Sequence, residues 1–272
     1  MKASNKEEII KLFENRFKEN VHSFRMLPPS GSYRQYCRLA NSNRSVISVF
    51  NSDTSENTAF LTFTGHFRKN RIPVPEIYAV SPDLKKYLLE DLGNTTLFDF
   101  LTKTREEEGF SERIVEEYRK VLQVLPRIQV ICGRNLDYSV CYPREAFDKL
   151  SMMWDLNYFK YYFLKLAKIP FDEQALEDDF QKFSDYLLGA DSNYFMYRDF
   201  QSRNVMLKNN GVYFIDYQGG RRGALQYDLA SLLYDGKADI PPAVRKEFCR
   251  VYITELKNYL PVDEEKFFDF KV

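Results

Sequence analysis

The sequence YRDFQSRNVMLKNNGVYFIDYQ occupies residues 197–218, and the rest of the chain is best interpreted outward from it. Two apolar runs flank Asn209-Asn210-Gly211, whose residue types accept a positive φ, so Val205–Tyr217 is predicted to form a β-hairpin. A hairpin returns the chain on itself. Asp216 is therefore expected close to the loop that carries Asp199 and Asn204, which would gather two carboxylates and one amide oxygen in one place.

Such a set of side chains is typical of phosphoryl transfer. One carboxylate orients the attacking hydroxyl and accepts its proton, while a second carboxylate and an amide hold Mg²⁺ against nucleotide phosphates. The spacing D-x-x-x-x-N, then a hairpin and another Asp, is a relaxed form of the protein-kinase catalytic loop. Tyr197 replaces its usual histidine, and Asp216-Tyr217-Gln218 replaces its usual DFG. Each residue alone is more simply a cap or a turn residue, but the combination predicts a kinase.

The composition excludes several other classes. The 39 basic and 39 acidic residues cancel, which argues against a general nucleic-acid surface. Only two histidines occur, His22 and His66, so metallohydrolases and histidine-based triads are disfavoured. The sequence contains no run of 18 apolar residues, so no membrane span is predicted. The cysteines are widely spaced and form no CxxC pair, which predicts a reduced, cytoplasmic protein; they are Cys37, Cys132, Cys141 and Cys249.

The first ninety residues predict a β-rich unit. After an amphipathic N-terminal helix, short apolar or alternating runs indicate strands, and Ser55–Lys69 has helical spacing with Thr54 or Ser55 as its N-cap. The predicted strands are Tyr33–Ala40, Ser45–Phe50, Ile77–Val80 and Lys86–Leu89.

Beyond residue 92 the pattern changes to long helices around the single hairpin. The predicted helices are Leu97–Lys103, Ser111–Val130, Pro143–Leu166, Glu173–Leu188 and Pro242–Leu260. The sequence thus predicts an α+β, two-lobed, protein-kinase-like fold. A small β-rich N-lobe would span residues 1–92, and a larger helical C-lobe with the embedded catalytic hairpin would span residues 93–272.

The segments YRDFQSRNVML, residues 197–207, and VYFIDYQGGRRGALQYDLASLL, residues 212–233, resemble the aminoglycoside phosphotransferase and choline kinase superfamily. Within it, the closest resemblance is to bacterial cell-wall amino-sugar kinases, which phosphorylate the anomeric hydroxyl of N-acetylmuramate and N-acetylglucosamine. VPEIYAV and YLLEDLGNTTL are similar to the family's last N-lobe strands and hinge, and SGSYRQYCRL is similar to its phosphate-covering hairpin.

The resemblance implies an ATP- and Mg²⁺-dependent kinase. Asp199 would be the catalytic base, Asn204 and Asp216 the magnesium ligands, and the backbone of Glu90, Asp91 and Leu92 the adenine contact. Asp228 would brace the catalytic loop by hydrogen bonds; an N-cap of a helix Leu229–Tyr234 is an equally good interpretation.

The phosphate-binding elements match less well. Backbone amides at Ser30, Gly31, Ser32 and Tyr33 could cradle phosphates, although a plain surface turn is the alternative. The strand Ser45–Phe50 lacks the lysine that kinases use on the α- and β-phosphates. Arg38, with Glu56 as its partner, could supply that charge, or it could be a solvated edge residue.

A sugar hydroxyl is the expected acceptor. The candidate substrate contacts are Trp154, Asp155, Asn157 and Arg222. For the helical segment with Trp154, core packing is the more common explanation of such an aromatic stripe, and for Arg222 a solvated loop is an equally good one. Two alternatives stay open: a kinase for choline, homoserine or an aminoglycoside, and an inactive nucleotide-binding pseudokinase. No nucleic-acid or membrane partner is expected, and the sequence leaves the natural substrate and the oligomeric state open.

Overall fold

The N-terminal part of the molecule is an antiparallel sheet flanked by two helices. The computed structural model describes residues 2–28 and 33–269. The strand order is β1-β2-β3-β5-β4. The elements are α1 Ala3–Phe17, β1 Ser23–Met26, β2 Gln35–Ala40, β3 Ser45–Phe50, α2 Thr54–Lys69, β4 Ile77–Val80 and β5 Lys86–Glu90.

The alternation of side chains along the strands gives this sheet two buried faces. Cys37, Leu39, Val46 and Leu88 pack under α1, whose Ile9 and Phe13 are fully buried; these six form one cluster. Val49 and Tyr87, on the opposite face, belong to the main core together with Phe60 of α2. The predicted strands Tyr33–Ala40 and Ser45–Phe50 correspond to β2 and β3, which form an antiparallel hairpin in a register that runs from Gln35↔Phe50 to Ala40↔Ser45.

Helix α2 begins one residue earlier than predicted. Its N-cap is Asp53, whose carboxylate accepts hydrogen bonds from the backbone N–H groups of Ser55 at 3.0 Å and Glu56 at 3.1 Å. The prediction of Thr54 or Ser55 as the cap is therefore wrong. A carboxylate at the N-cap satisfies two backbone donors and also interacts favourably with the helix dipole.

The C-terminal part is mainly helical. Its elements are α3 Leu97–Glu108, α4 Glu112–Pro126, α5 Lys149–Phe159, α6 Glu173–Leu187, β6 Tyr194–Met196, β7 Val205–Lys208, β8 Gly211–Phe214, β9 Arg221–Gly223, α7 Leu225–Leu233, α8 Pro242–Leu256 and α9 Glu264–Asp269. Helix α4 packs along α8, and Tyr118 stacks on Phe248 with ring centroids 5.2 Å apart. In the described ranges, no helix is both long and apolar enough to cross a membrane.

The helix predicted over Pro143–Leu166 is shorter than expected. Residues before Lys149 instead bond to β9, because the N–H of Phe147 donates to the carbonyl of Arg222 at 2.8 Å. Asp148 then caps α5 by accepting from the N–H of Ser151 at 3.0 Å. The short strands β6 and β9, which pair with each other, were not predicted, because three residues are too few for a periodic signal.

Helix α2 also packs against the C-terminal part. Phe67 lies 5.4 Å from the ring of Phe195 and 5.1 Å from that of Tyr217, and the hydroxyls of Thr64 and Tyr217 are 2.6 Å apart. The architecture is the α+β, two-lobed one that the sequence predicted, with the hairpin β7–β8 embedded among helices.

Replacing Phe67 by alanine should remove this contact between the two parts. Because Phe67 is fully buried, we expect the free energy of unfolding to fall by about 3–5 kcal/mol. Phe163→Ala is the matched control. Its ring is half exposed and stacks on Phe159, so the loss should stay below about 1.5 kcal/mol. Chemical denaturation measures both, and equal losses would contradict the packing argument.

Candidate active site

The loop between β6 and β7 contains two residues with left-handed backbone conformation. The φ angles are +65° at Arg198 and +50° at Asp199. Such conformations cost non-glycine residues about 1–3 kcal/mol each and persist only where the surroundings hold them. Asp199 lines a cavity of about 610 Å³ between the two lobes, whereas its neighbour Phe200 is buried.

Asp228 is the residue that holds this backbone. Its fully buried carboxylate accepts hydrogen bonds from the N–H groups of Tyr197 at 2.8 Å and Arg198 at 3.1 Å. It also accepts from the side-chain amide of Gln129 at 2.9 Å. The alternative role as an N-cap does not apply, because α7 begins at Leu225 and Asp228 lies inside its first turn. The two hydrogen bonds from backbone N–H groups hold the loop in place, as expected of the predicted brace.

The hairpin β7–β8 returns the chain to the same loop. Val205 pairs with Phe214, and the N–H of Ile215 donates to the carbonyl of Asn204 at 3.1 Å. Asp216 follows directly, and it lines the same cavity as Asp199 and Asn204. The predicted proximity of these three residues is therefore present.

The oxygen atoms of this group suit a hard divalent cation. The amide nitrogen of Asn204 donates to the carbonyl of Asp199 at 2.8 Å, which leaves the amide oxygen as its second polar group. Asp216 contributes a carboxylate that is about one-third exposed. Carboxylate and amide oxygens are ligands that Mg²⁺ accepts in nucleotide-dependent enzymes. The residues present therefore fit the predicted metal.

The environment of Asp199 makes its carboxyl harder to ionise than an ordinary aspartate. Desolvation in the cleft raises the pKa of this carboxyl above its ordinary value, and the nearby charges of Asp216 and Asp155 act in the same direction. The guanidinium of Arg198 opposes them. A carboxylate with a raised pKa is a better proton acceptor than an ordinary aspartate.

Asp155 is the one predicted substrate residue that lies close to Asp199. Both of its carboxylate oxygens pair with the guanidinium of Arg198 at 2.8 Å. The same guanidinium lies 4.9 Å from the ring centre of Phe147 and 5.5 Å from that of Tyr227. Helix α5 is thus tied to the residue that precedes Asp199.

The other predicted substrate residues lie elsewhere. Trp154 is 73% exposed, the Asn157 amide donates to the carbonyl of Met153 within α5, and Arg222 lies over the ring of Tyr138 at 4.3 Å. Among the described residues that line the cavity beside Asp199, none of these three is present, and neither is Asp155.

The predicted hinge borders the cavity. Glu90 and Leu92 line it, while the carboxylate of Asp91 pairs with Arg38 at 2.7 Å. Lys208 of β7 connects the hinge to the C-lobe, since its ammonium contacts the Glu90 carboxylate at 2.8 Å and the Asp91 carbonyl at 3.0 Å.

Most of the predicted phosphate-binding turn lies outside the described residues. Ser30, Gly31 and Ser32 lie outside the described residues, and Tyr33 is almost fully exposed. Arg38 bonds to the hinge, and also contacts the Asn94 side chain at 2.7 Å. Glu56 pairs with Arg34 instead, at 3.3 Å, so the expected Arg38–Glu56 pair is not the one formed.

Arg34 was not among the predicted site residues. Its guanidinium contacts Asp216 at 3.0 Å and Glu56 at 3.3 Å, and its side chain is only 7% exposed. The two-residue alternation of β2 places positions 34, 36 and 38 on one side, so the sequence carried a signal for a second cleft-side arginine.

Comparison with known proteins now decides the family. A model of the phosphotransferase enzyme family matches residues 29–264, which is most of the chain. The chain belongs to this family. The resemblance found in the sequence is therefore confirmed at the family level.

Two curated relatives carry the same description, N-acetylmuramate/N-acetylglucosamine kinase. The protein from Neisseria meningitidis serogroup B is 29% identical over 170 residues, which cover 60% of this chain and 47% of the relative. The protein from Pseudomonas aeruginosa is 23% identical over 223 residues, 79% of this chain and 61% of the relative. The matched region thus spans about half to three-fifths of the length of these relatives.

Among solved structures, a choline kinase from Cryptosporidium parvum Iowa II has a similar fold. The TM-score is 0.68 at 14% identity, over 98% of this chain and 86% of the other. This likeness confirms the kinase-like fold class.

The buried carboxyl of Asp228 should make stability depend on pH. Burial raises its pKa to about 7, while the donors of Tyr197, Gln129 and Arg198 act in the opposite direction. The folded protein then binds this proton more tightly than the unfolded chain. The free energy of unfolding should therefore fall as the pH rises from about 4 to about 7, and level off above.

Chemical denaturation of the wild type and of Asp228→Asn across this pH range tests the assignment. The difference between their free energies of unfolding should change by on the order of 1 kcal/mol per pH unit inside the window. Asp179→Asn, at an exposed position of α6, is the control and should run parallel to the wild type. Parallel curves for Asp228→Asn as well would contradict the raised pKa.

Proposed function

We propose that this protein is an ATP-dependent small-molecule kinase that phosphorylates a hydroxyl of an amino sugar, at its anomeric position. The observation that carries the proposal is the convergence of Asp199, Asn204 and Asp216 on one cavity between the lobes. Family membership supports phosphotransferase chemistry, and the names of the two curated relatives support the substrate class. The division into an N-lobe of residues 1–92 and a C-lobe of residues 93–272 belongs to the same proposal.

In this proposal the chain positions and polarises the reactants. Asp199 holds the acceptor hydroxyl by a hydrogen bond and takes its proton as the oxygen attacks the γ-phosphorus of ATP. The bond from this phosphorus to the β–γ bridging oxygen breaks, and ADP leaves. Its desolvated position makes it a suitable proton acceptor. The brace from Asp228 keeps the loop fixed, so Asp199 needs no reorganisation at the moment of reaction.

The oxygens of Asn204 and Asp216 are the proposed ligands of Mg²⁺. When bound there, the ion would neutralise charge on the nucleotide phosphates. The hydrogen bond from Asn204 to the Asp199 carbonyl orients its amide, so that the ligand oxygen and the base are fixed by the same short loop. The backbone of Glu90, Asp91 and Leu92 remains the proposed adenine contact, and Ser30, Gly31, Ser32 and Tyr33 the proposed phosphate cradle.

The acceptor would bind on the side of α5. Asp155 is best supported, because it lies close enough to Asp199 to influence its pKa. Sugar-binding roles for Trp154, Asn157 and Arg222 stay predictions, as does the cytoplasmic location.

A substrate panel tests the function. With Mg²⁺ and ATP, we expect turnover on N-acetylmuramate or N-acetylglucosamine, with the phosphate on the anomeric oxygen as shown by phosphorus NMR. Choline, homoserine and kanamycin should be poor acceptors. Phosphorylation of choline or kanamycin in preference to the amino sugars would overturn the substrate class. Binding of ATP without turnover on any acceptor would favour the pseudokinase.

Replacing the base should separate chemistry from folding. In Asp199→Asn the side chain keeps its shape but cannot accept the proton, so we expect kcat to fall by about 10²- to 10⁴-fold, with the free energy of unfolding nearly unchanged. Asp191→Asn, at an exposed position before β6, is the matched control and should keep full turnover. Near-native turnover of Asp199→Asn would contradict the assignment of Asp199 as the catalytic base.

A further inference from the structure

The strand that carries the phosphate-binding lysine in kinases offers no cation here. Ile47 and Val49 of β3 line the cavity between the lobes, while Val46 packs under α1. Both cavity-facing positions of the strand are therefore aliphatic. Transfer of a phosphoryl group from a nucleotide nevertheless needs a positive group beside the phosphates.

Arg34 places a guanidinium beside Asp216, which lines that cavity. It precedes the first residue of β2 on the same side of the strand as Tyr36, whose hydroxyl it contacts at 3.0 Å. It also pairs with Glu56, from the first turn of α2, and with Asp216, the proposed metal ligand. It thus joins the N-lobe helix to the carboxylate beside the phosphates.

The partner of Arg34 on α2 is itself fixed. The second oxygen of Glu56 accepts a hydrogen bond from the side-chain amide of Asn51 at 2.6 Å, and its backbone N–H donates to the capping residue Asp53. A carboxylate held in this way can orient a flexible arginine. It also offsets much of the cost of burying the arginine's charge.

Arg38, the cation that the sequence suggested, binds to the hinge region instead. Its guanidinium contacts the carboxylate of Asp91, the amide oxygen of Asn94 and the carbonyl of Gly93. These three partners belong to the hinge and the turn after it. Arg38 therefore stabilises the connection between the lobes.

We propose that Arg34, oriented by Glu56, is the residue that contacts the nucleotide phosphates in place of the missing lysine. In this structure one nitrogen of Arg34 pairs with Asp216. With a nucleotide and Mg²⁺ bound, Asp216 would serve as a ligand of the ion, and this nitrogen of Arg34 would donate to a phosphate oxygen instead. No covalent bond changes, and each charge keeps an opposite partner. The inference rests on the proposed function, because it assigns a residue to the same nucleotide site.

Binding measurements test the assignment without relying on turnover. Calorimetric titration with ADP in the presence of Mg²⁺, and with adenosine, separates phosphate contacts from base contacts. In Arg34→Gln we expect ADP to bind about 10- to 100-fold more weakly, the loss typical of a charge-assisted hydrogen bond, with adenosine affinity within about twofold of the wild type. Arg34→Lys should recover most of the ADP affinity.

Two further variants sharpen the comparison. Arg44→Gln, in the exposed turn between β2 and β3, is the matched control and should bind ADP like the wild type. Arg38→Gln should weaken adenosine and ADP together, because Arg38 contacts the hinge. If Arg34→Gln does not fold, Arg34→Gln/Glu56→Gln takes its place under the same criteria, since it leaves no carboxylate at position 56 in need of a partner.

The outcomes are distinct. A selective loss of ADP affinity in Arg34→Gln supports the assignment. Equal ADP affinity in Arg34→Gln and Arg44→Gln overturns it, as does an equal loss of ADP and adenosine, which would indicate a purely structural role. A wild type that binds adenosine and ADP equally well would also refute a phosphate contact by Arg34. A wild type that binds neither would overturn the proposed function itself.

Discussion

The carboxylate of Asp228 accepts the backbone N–H groups of Tyr197 and Arg198, and the geometry of the catalytic loop depends on this contact. Two consecutive residues with left-handed backbone would not keep that conformation without an external partner. If the carboxylate were removed, two buried N–H groups would lose their acceptor, which costs about 1–3 kcal/mol each. Gln129 orients the carboxylate in turn, and its own amide oxygen accepts from the hydroxyl of Tyr252 at 2.6 Å.

The second constraint is the aromatic packing between the lobes. Phe60 of α2 lies between the rings of Tyr87, at 5.3 Å, and Tyr217, at 5.0 Å. Because Tyr217 directly follows Asp216, this stack fixes the backbone on which that carboxylate sits. Helix α2 also carries Glu56, the partner of Arg34. Helix α2 therefore positions groups on both sides of the proposed phosphate site. A substitution that changes how this helix packs in the core is thus expected to alter the site as well.

The parts of the site that could be predicted are those that depend on local chain geometry. The hairpin around Asn209-Asn210-Gly211 follows from residues that accept positive φ, and it alone brings Asp216 back to Asp199. The role of Arg34 could not be found in this way, because its partners Glu56 and Asp216 are 22 and 182 residues distant along the chain. Such contacts depend on how the sheet, α2 and the hairpin pack.

The start of α5 illustrates the same limit. Helical periodicity suggested a helix from Pro143, yet residues 145–147 bond to β9 and the helix starts after its cap at Asp148. A strand of three residues is too short to give a periodic pattern, so pairing with it cannot be predicted from the sequence. The ion pair between Asp155 and Arg198 depends on where α5 lies, so it too could not be predicted from the sequence.

The departures of this chain from the kinase pattern are better explained as substitutions with compensating contacts than as loss of the catalytic site. Tyr197 stands where a histidine is usual, and its hydroxyl donates to the carbonyl of Ile215 at 2.6 Å, which ties the loop to the residue before Asp216. Tyr217 stands where phenylalanine is usual and adds a hydrogen bond with Thr64 to the aromatic stack. Arg34 pairs with Glu56, a carboxylate in the first turn of α2. Asp199, Asn204 and Asp216 line one cavity, and the tyrosines at the two replaced positions make hydrogen bonds that hold the backbone around them. The pattern of replacements therefore favours a working phosphotransferase over a pseudokinase.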